Sequence, residues 1–372
     1  METQSRPKKD NILIIAYNDL NNSGVPNVIY QIIKSQCERY HFDIVVFGDD
    51  DYYYKKMLSD GVNDVDIIRI SIRKPKSKIS RFFFYLFLEQ KLQYRESIRL
   101  LKKKKYKVIH SIKEYDSGPF LKAAKKQGIT KRIIHSNVIH SKTYNCVMNK
   151  RKRYSLKYAT ELVGVTDLCC RNAFQGANYK IIHFSYDESI YNKNVQNRLK
   201  NNQLVLTQIG TFSSNKNQLF SIEILYNLKK LYPNALLKLI GTEREKNYLS
   251  EMNKTIKEFG LEPNVEIIDG SKGVGDNLQY TSFTLLTSHK EGASLVVIES
   301  QACGIDVFAS SSVAEEMNLG GITFLDLSKG PEYWAREIYK KWTLNNNKRH
   351  NYDMSSFSKE TFNKSISNIY SN

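Results

Sequence analysis

Cysteine is scarce and poorly spaced for cross-linking. Cys37, Cys146, Cys169, Cys170 and Cys303 are an odd set of 5 with no C-x-x-C pair. That argues against a disulfide scaffold or a zinc ribbon and fits free thiols in a reducing cytosol. With only 7 prolines and 18 glycines there is no room for a long low-complexity linker. Long apolar runs are missing too. The longest, FFFYLFL at 82–88, falls far short of the ~18–20 residues of a membrane span. The polar opening METQSRPKKDN has no signal core. Acidic residues are nearly absent from one region. Residues 73–157 hold 25 Lys and Arg against 4 Asp and Glu, so all of the chain's net charge of +18 sits there. Such a field concentrates lipid headgroups, pyrophosphates or nucleic acid, or is simply a soluble basic face. No nucleic-acid-binding module accompanies it.

What is present is β-α alternation, twice over. NILIIAY (11–17) is a continuous apolar run, as expected of a strand buried on both faces. A loop with Gly24 follows, and then a helical period with Pro26 in its first turn. Further strands are expected at 43–48, 66–70, 107–110, 132–136, 161–165 and 180–184. The polar stretch 186–203 reads as a connection. The pattern then restarts, with strands at 204–210, 235–241, 264–269, 283–288, 306–310 and 322–327. Helices are expected at 217–231, 243–259, 295–303, 331–344 and about 357–370. The expected fold is α/β with two Rossmann-like, doubly wound domains facing each other across a cleft. Their bounds are 1–185, joined by the C-terminal helix at about 357–372, and 186–356.

The βα turns at Gly24 and Gly210 match neither G-x-G-x-x-G nor a P-loop, so a dinucleotide or P-loop reading is unsupported. Lys216, ahead of a helix, is placed to reach phosphate oxygens beside helix N–H groups. The stretch SHKEGASLVVIESQACG is more specific. Gly292, Ala293 and Ser294 are small enough for a ligand to approach the backbone. Ser294 is a suitable N-cap, Leu295 opens the helix, and Gly304 closes it. Glu291 stands at the mouth of an anion-attracting helix N-terminus. Glu299, one turn further on, either bonds hydroxyls from a buried face or faces water beside Ser300 and Gln301. His135 ends a strand and is either a core histidine or a site residue. The D-V-D string at 64–66 reads as chance, and GDDD at 48–51 is a weak cation candidate; no metal is expected.

The E-G-A-S-L-V-V-I-E block, with seven residues between Glu291 and Glu299, followed by SQACGIDVFAS, resembles the signature of retaining family 4 glycosyltransferases of the GT-B fold. The loop near Gly24, RIIHSN, IG…KNQ and IIHFSYDESIY extend the resemblance over nearly the whole chain. It implies that the C-terminal domain holds a nucleotide-diphosphate sugar, with a UDP-sugar as the usual choice, and that the N-terminal domain holds the acceptor. It further implies that Glu299 binds the ribose hydroxyls and Glu291 a hydroxyl of the transferring sugar. The backbone at Ser294 and Leu295, with Lys216, would hold the diphosphate. His135 would line the cleft near the reacting sugar. Two positions depart from the pattern. Thr211 follows Gly210 where an arginine is usual, and Phe184-Ser185-Tyr186 precedes Asp187 where Asn-Gly is usual.

The function expected is a cytoplasmic transferase without cofactor, acting on a lipid-linked or polysaccharide acceptor in surface-glycan synthesis. It would dock on the inner face of the plasma membrane. Arg81, Phe82, Lys102, Lys103, Lys104 and Lys105 are the expected acceptor or membrane surface, since basic residues interleaved with aromatics suit an anionic bilayer. The alternative is a noncatalytic GT-B subunit that binds a sugar or a protein.

Overall fold

The computed structural model describes residues 9–72, 75–77, 80, 83–139, 146–191, 203–270, 275–345 and 348–371. Arg81 and Phe82 lie outside them, as does most of the expected connection. The chain divides into two units, Met1–Phe184 with Glu360–Asn372, and Ser185–Lys359.

The first unit runs β1 (Asp10–Ile15), α1 (Gly24–Gln36), β2 (Tyr40–Val46), α2 (Tyr52–Ser59), β3 (Val65–Arg69), α3 (Glu89–Lys103), β4 (Val108–Ser111), α4 (Gly118–Lys126), β5 (Lys131–Ser136), α5 (Cys146–Tyr158), β6 (Glu161–Gly164), α6 (Asp167–Phe174) and β7 (Lys180–Ile181). These strands are parallel, in the order β3-β2-β1-β4-β5-β6-β7. Ile12 to Ile15 on β1 are at most 1% exposed, which explains their unbroken apolar sequence: helices cover both faces of the sheet.

In the second unit β8 (Val205–Ile209), α7 (Gln218–Leu231), β9 (Leu236–Gly241), α8 (Tyr248–Glu258), β10 (Val265–Asp269), β11 (Phe283–Leu286), α9 (Leu295–Ala302), β12 (Asp306–Ser310), β13 (Ile322–Leu325) and α10 (Gly330–Asn345) follow in turn. Its parallel sheet has the order β10-β9-β8-β11-β12-β13. A last helix, α11 (Lys359–Ser371), packs in the first unit through Phe362, Ile366, Ile369 and Tyr370. The strand order reverses once in each sheet, between β1 and β4 and between β8 and β11. Such a reversal leaves a crevice at the carboxyl ends of the two strands.

Two expected elements are shorter for local reasons. The 180–184 strand keeps only Lys180–Ile181, because as an edge strand it pairs with β6 alone. The helix expected from 243 begins at Tyr248. Residues 242–245 are held by backbone bonds to Phe212, and Asn247, in a left-handed conformation at φ 68°, starts the helix after them. From Phe83 the apolar run continues into α3 through a π-helical turn, Phe84–Leu88. It is two-faced: Phe84 is buried, whereas Phe83 and Leu88 are 55% and 47% exposed. Tyr85 is fixed by the Arg151 guanidinium, 3.6 Å from its ring. Arg151, itself buried, also pairs with Glu89 at 3.0 Å and Asp116 at 2.7 Å.

The carboxyl ends of β8 and β9 nearly touch. A Cβ on Gly241 would stand 2.0 Å from the Gly210 carbonyl oxygen. That oxygen belongs to the backbone and the Cβ is fixed to it, so relief requires the strand ends to separate. Gly241→Ala should therefore destabilise the second unit by ~1–3 kcal/mol, the usual cost of overpacking, read as a lower urea midpoint. An unchanged midpoint would show that the two ends are not locked together.

Candidate functional site

The β8–β11 crevice brings the expected residues of the second unit together. Gly210 leaves β8 at φ +154°, which favours glycine, and its Cβ position lies 3.6–3.8 Å from the Lys216 side-chain carbons. The lysine stem thus runs back along the strand end. Its backbone is fixed on both sides. The Lys216 N–H donates to Ser213 O at 3.0 Å, and its carbonyl accepts from Gln208 Nε2 at 2.7 Å and Thr287 Oγ1 at 3.2 Å. The loop after β11 is tied to this one: His289 N donates to Asn215 O at 2.8 Å, and Asn215 Nδ2 donates to Lys290 O at 3.1 Å.

That tie closes the Lys216 ammonium onto the Glu291 carboxylate in a direct ion pair. Ser288 Oγ also donates to Glu291, at 3.3 Å. Lys216 and Glu291 keep 23% and 11% of their side chains exposed, so the pair is mostly desolvated yet open on one side. A charge pair here is stronger than one in free water.

Gly292, Ala293 and Ser294 lead into α9. Ser294 is its N-cap, in extended conformation, but its hydroxyl makes no capping bond. The first-turn amides from Leu295 onward therefore have no side-chain cap and no acidic neighbour in the turn. A helix start in that condition attracts an anion.

Glu299 is half-buried one turn further on. Burial, then repulsion from Asp187, pushes its carboxyl up from the ordinary 4.5 to about 7, against a hydrogen bond from Tyr191. Ser300 and Gln301, which would accompany it in a water-facing arrangement, point inward. Ser300 Oγ bonds Thr284 Oγ1 at 2.8 Å, and Gln301 Nε2 donates to Met317 O at 2.8 Å. Asp187 and Tyr191 were not singled out as site residues from sequence. A turn brings them there, with Tyr191 N donating to Asp187 O at 2.8 Å.

Thr211 is half-buried, and its carbonyl accepts from Gln218 Nε2 at 3.1 Å. Exposed Arg244 is drawn beside this loop, its N–H donating to Phe212 O at 3.2 Å. No sequence pattern marked that arginine, because a backbone contact between two loops places it.

In the first unit, Gly24 opens α1. His135 is 0% exposed. Its ring is nearly parallel to that of His110, at 7°, with His135 Nδ1 3.2 Å from His110 Nε2. Burial lowers His135 to about 3, so the ring is neutral. Within this unit it therefore sits in the interior and not at an open surface, and it needs access before it can touch a substrate. The acidic strings have local partners. Asp64 pairs with Lys9 at 2.7 Å, Asp66 bonds His41 at 3.0 Å, and Asp51 pairs with Lys55 at 2.9 Å.

The four-lysine cluster is not uniform. Lys102, Lys103 and Lys105 are exposed. Lys104 is turned onto the buried Asp43 at 2.8 Å, where the Tyr106 hydroxyl also donates.

Comparison with known proteins agrees with this arrangement. Residues 190–319 match the family described as Glycosyl transferases group 1. The chain is 27% identical over 261 residues to the capsular polysaccharide biosynthesis glycosyltransferase CapH of Staphylococcus aureus, covering 65% of this chain and 71% of CapH. It is 22% identical over 307 residues to the amylovoran biosynthesis glycosyltransferase AmsD of Erwinia amylovora, covering 80% of each. Its fold superposes on HepE of Anabaena, solved in complex with UDP, with a TM-score of 0.75 at 14% identity, covering 96% of this chain and 98% of HepE. With its two doubly wound units and a Glu-x7-Glu loop in the matched segment, the chain is a glycosyltransferase of the GT-B fold, similar over residues 190–319 to the glycosyl transferases group 1.

Proposed function

We propose that the chain transfers a sugar, with retention of configuration, from a nucleoside-diphosphate sugar to a lipid-linked or polysaccharide acceptor in surface-glycan synthesis. The observation that carries this is the Lys216–Glu291 ion pair just ahead of the uncapped start of α9, with Glu299 one turn further along that helix. Cationic and N–H groups suit a diphosphate; carboxylates suit sugar and ribose hydroxyls. Gly210, Thr211, Gly292, Ala293, Ser294 and Leu295 form the backbone wall of the donor site. Lys216 and the α9 amides stabilise the leaving diphosphate, Glu291 orients the transferred sugar, and Glu299 holds the ribose. The first unit holds the acceptor. UDP is the preferred nucleotide, supported by HepE structures with UDP and with UDP-glucose. The names of CapH and AmsD support a polysaccharide product.

Thermal shift against a panel of sugar nucleotides tests this reading. A donor at 100 times its Kd stabilises by ~2.7 kcal/mol, and the same compound should be turned over or hydrolysed. If no sugar nucleotide raises Tm, the donor assignment fails. Thr211 favours a second reading, a noncatalytic subunit. Donor binding without transfer or hydrolysis would select it.

No helix among the described residues is long and apolar enough to cross a membrane. Docking would use Lys102, Lys103 and Lys105, with exposed Phe83 and Leu88 in the same segment. Each surface cation near an anionic bilayer contributes ~1 kcal/mol. Replacing these three lysines with Gln should therefore lower cosedimentation with anionic vesicles roughly 100-fold at low salt. Lys104 is left intact because Asp43 needs it. Equal, salt-independent cosedimentation of the two proteins would remove the membrane from the proposal.

A further inference from the structure

The interior of the first unit holds a chain of three polar side chains. Tyr370 of α11 has its hydroxyl 2.7 Å from His110 Nδ1, and His110 Nε2 is 3.2 Å from His135 Nδ1. The chain ends at His135 Nε2, which is buried and has no hydrogen-bond partner. All three residues are at most 1% exposed.

Proton placement along this chain has two possible directions, and counting unmet groups decides between them. If the Tyr370 O–H donates to His110 Nδ1, His110 carries its proton on Nε2 and donates to His135 Nδ1. His135 then carries its proton on Nε2, and one group, that N–H, lacks a partner. In the reverse direction the Tyr370 O–H has nothing to donate to and His135 Nε2 has nothing to accept, which leaves two buried groups unmet. Buried polar groups without partners are costly, so the first direction is favoured. Burial keeps both rings neutral and the Tyr370 hydroxyl protonated, as this direction requires.

We infer that Tyr370, acting through His110, locks His135 in the Nε2–H tautomer, so that His135 serves sugar transfer as a neutral hydrogen-bond donor and not as a proton-accepting base. Tyr370 and His110 are positioning residues in this scheme. The link to turnover rests on the reading of His135 as a transfer-site residue; the tautomer does not.

Long-range proton–nitrogen correlation on the full chain with 15N-labelled histidine reads the tautomers directly, with assignments from His110→Gln and His135→Gln. Both rings should be Nε2–H at pH 7. A proton on Nδ1 of His135 overturns the inference whatever the activity. Tyr370→Phe keeps the ring that packs edge-on to Tyr40, at 5.7 Å between centroids, and loses only the hydroxyl. In that variant His110 should become a tautomer mixture, and kcat should fall about tenfold with the donor KM unchanged, the size of one neutral hydrogen bond. His135→Gln, which retains an N–H donor, should keep most of the turnover that His135→Ala loses. Equal losses in these two, with the wild-type tautomer as expected, would overturn the donor role of His135 while leaving the lock intact, and full turnover in both would detach His135 from transfer and from the proposed site.

Discussion

Lys216→Ala should give a folded protein that binds nucleoside diphosphate at least tenfold more weakly and turns over its donor roughly 100-fold more slowly. A charge-assisted bond contributes ~1.5–3 kcal/mol to binding, and removing one donor to a developing anion costs about 100- to 1,000-fold in rate. The variant also strands Glu291, which loses its ion-pair partner and then repels the diphosphate. Glu291→Gln separates the two effects. It frees the ammonium and removes the repulsion, so diphosphate affinity should hold or improve while transfer falls. Calorimetry with the diphosphate and a turnover assay check both. Unchanged diphosphate affinity in a folded Lys216→Ala protein would move the anion site elsewhere.

Glu299 should make donor binding depend on pH. Its folded-state carboxyl, raised from 4.5 to about 7, takes up a proton that the unfolded chain does not hold between those values. Its contribution to stability is therefore fully present below about pH 4.5 and is lost as pH rises through about 7. Hydroxyls donated by a ribose favour the carboxylate and work against that proton. The affinity of wild-type protein for an intact sugar nucleotide should thus rise with pH, by at most tenfold per unit for one proton, and level off above about 7. Glu299→Gln should bind with no such slope, at least tenfold more weakly at pH 8. It should also be the more stable of the two proteins at pH 8 without ligand. A wild-type affinity that is flat from pH 5.5 to 8 would sink the ribose assignment.

The local features of this fold were legible because local forces set them. DVFAS was expected as a strand and is β12 without a residue's change, since the apolar Val307, Phe308 and Ala309 fill its buried centre in a parallel sheet. The helix after the glutamate loop is likewise closed where expected by Gly304, which lies at φ +72°. What escaped was set by distant contacts. The setting of Glu299 depends on Asp187 and Tyr191, more than a hundred positions earlier, and Lys104 answers to Asp43, 61 residues away. A lysine run reads as one solvated face until a buried carboxylate claims a member. His135 shows the same limit. Its strand-end position was visible, but not its burial or its hydrogen bond with His110.

The route of α11 also fixes an order of assembly. The first unit is discontinuous, whereas the second, Ser185–Lys359, is one uninterrupted stretch. During synthesis the first half of the chain emerges early, yet its interior lacks Tyr370, which packs on Tyr40, Phe42 and His110, until nearly everything else has been made. The later-made unit can therefore close first, reversing the usual N-to-C sequence of domain folding. Through that interval the gap beneath β2 and β4 stays open, with apolar surface that a chaperone would recognise. Cutting the chain before Phe362 should leave the first unit permanently in that state, so a truncated product is marked for degradation by a defect more than 250 residues away from the strands it exposes.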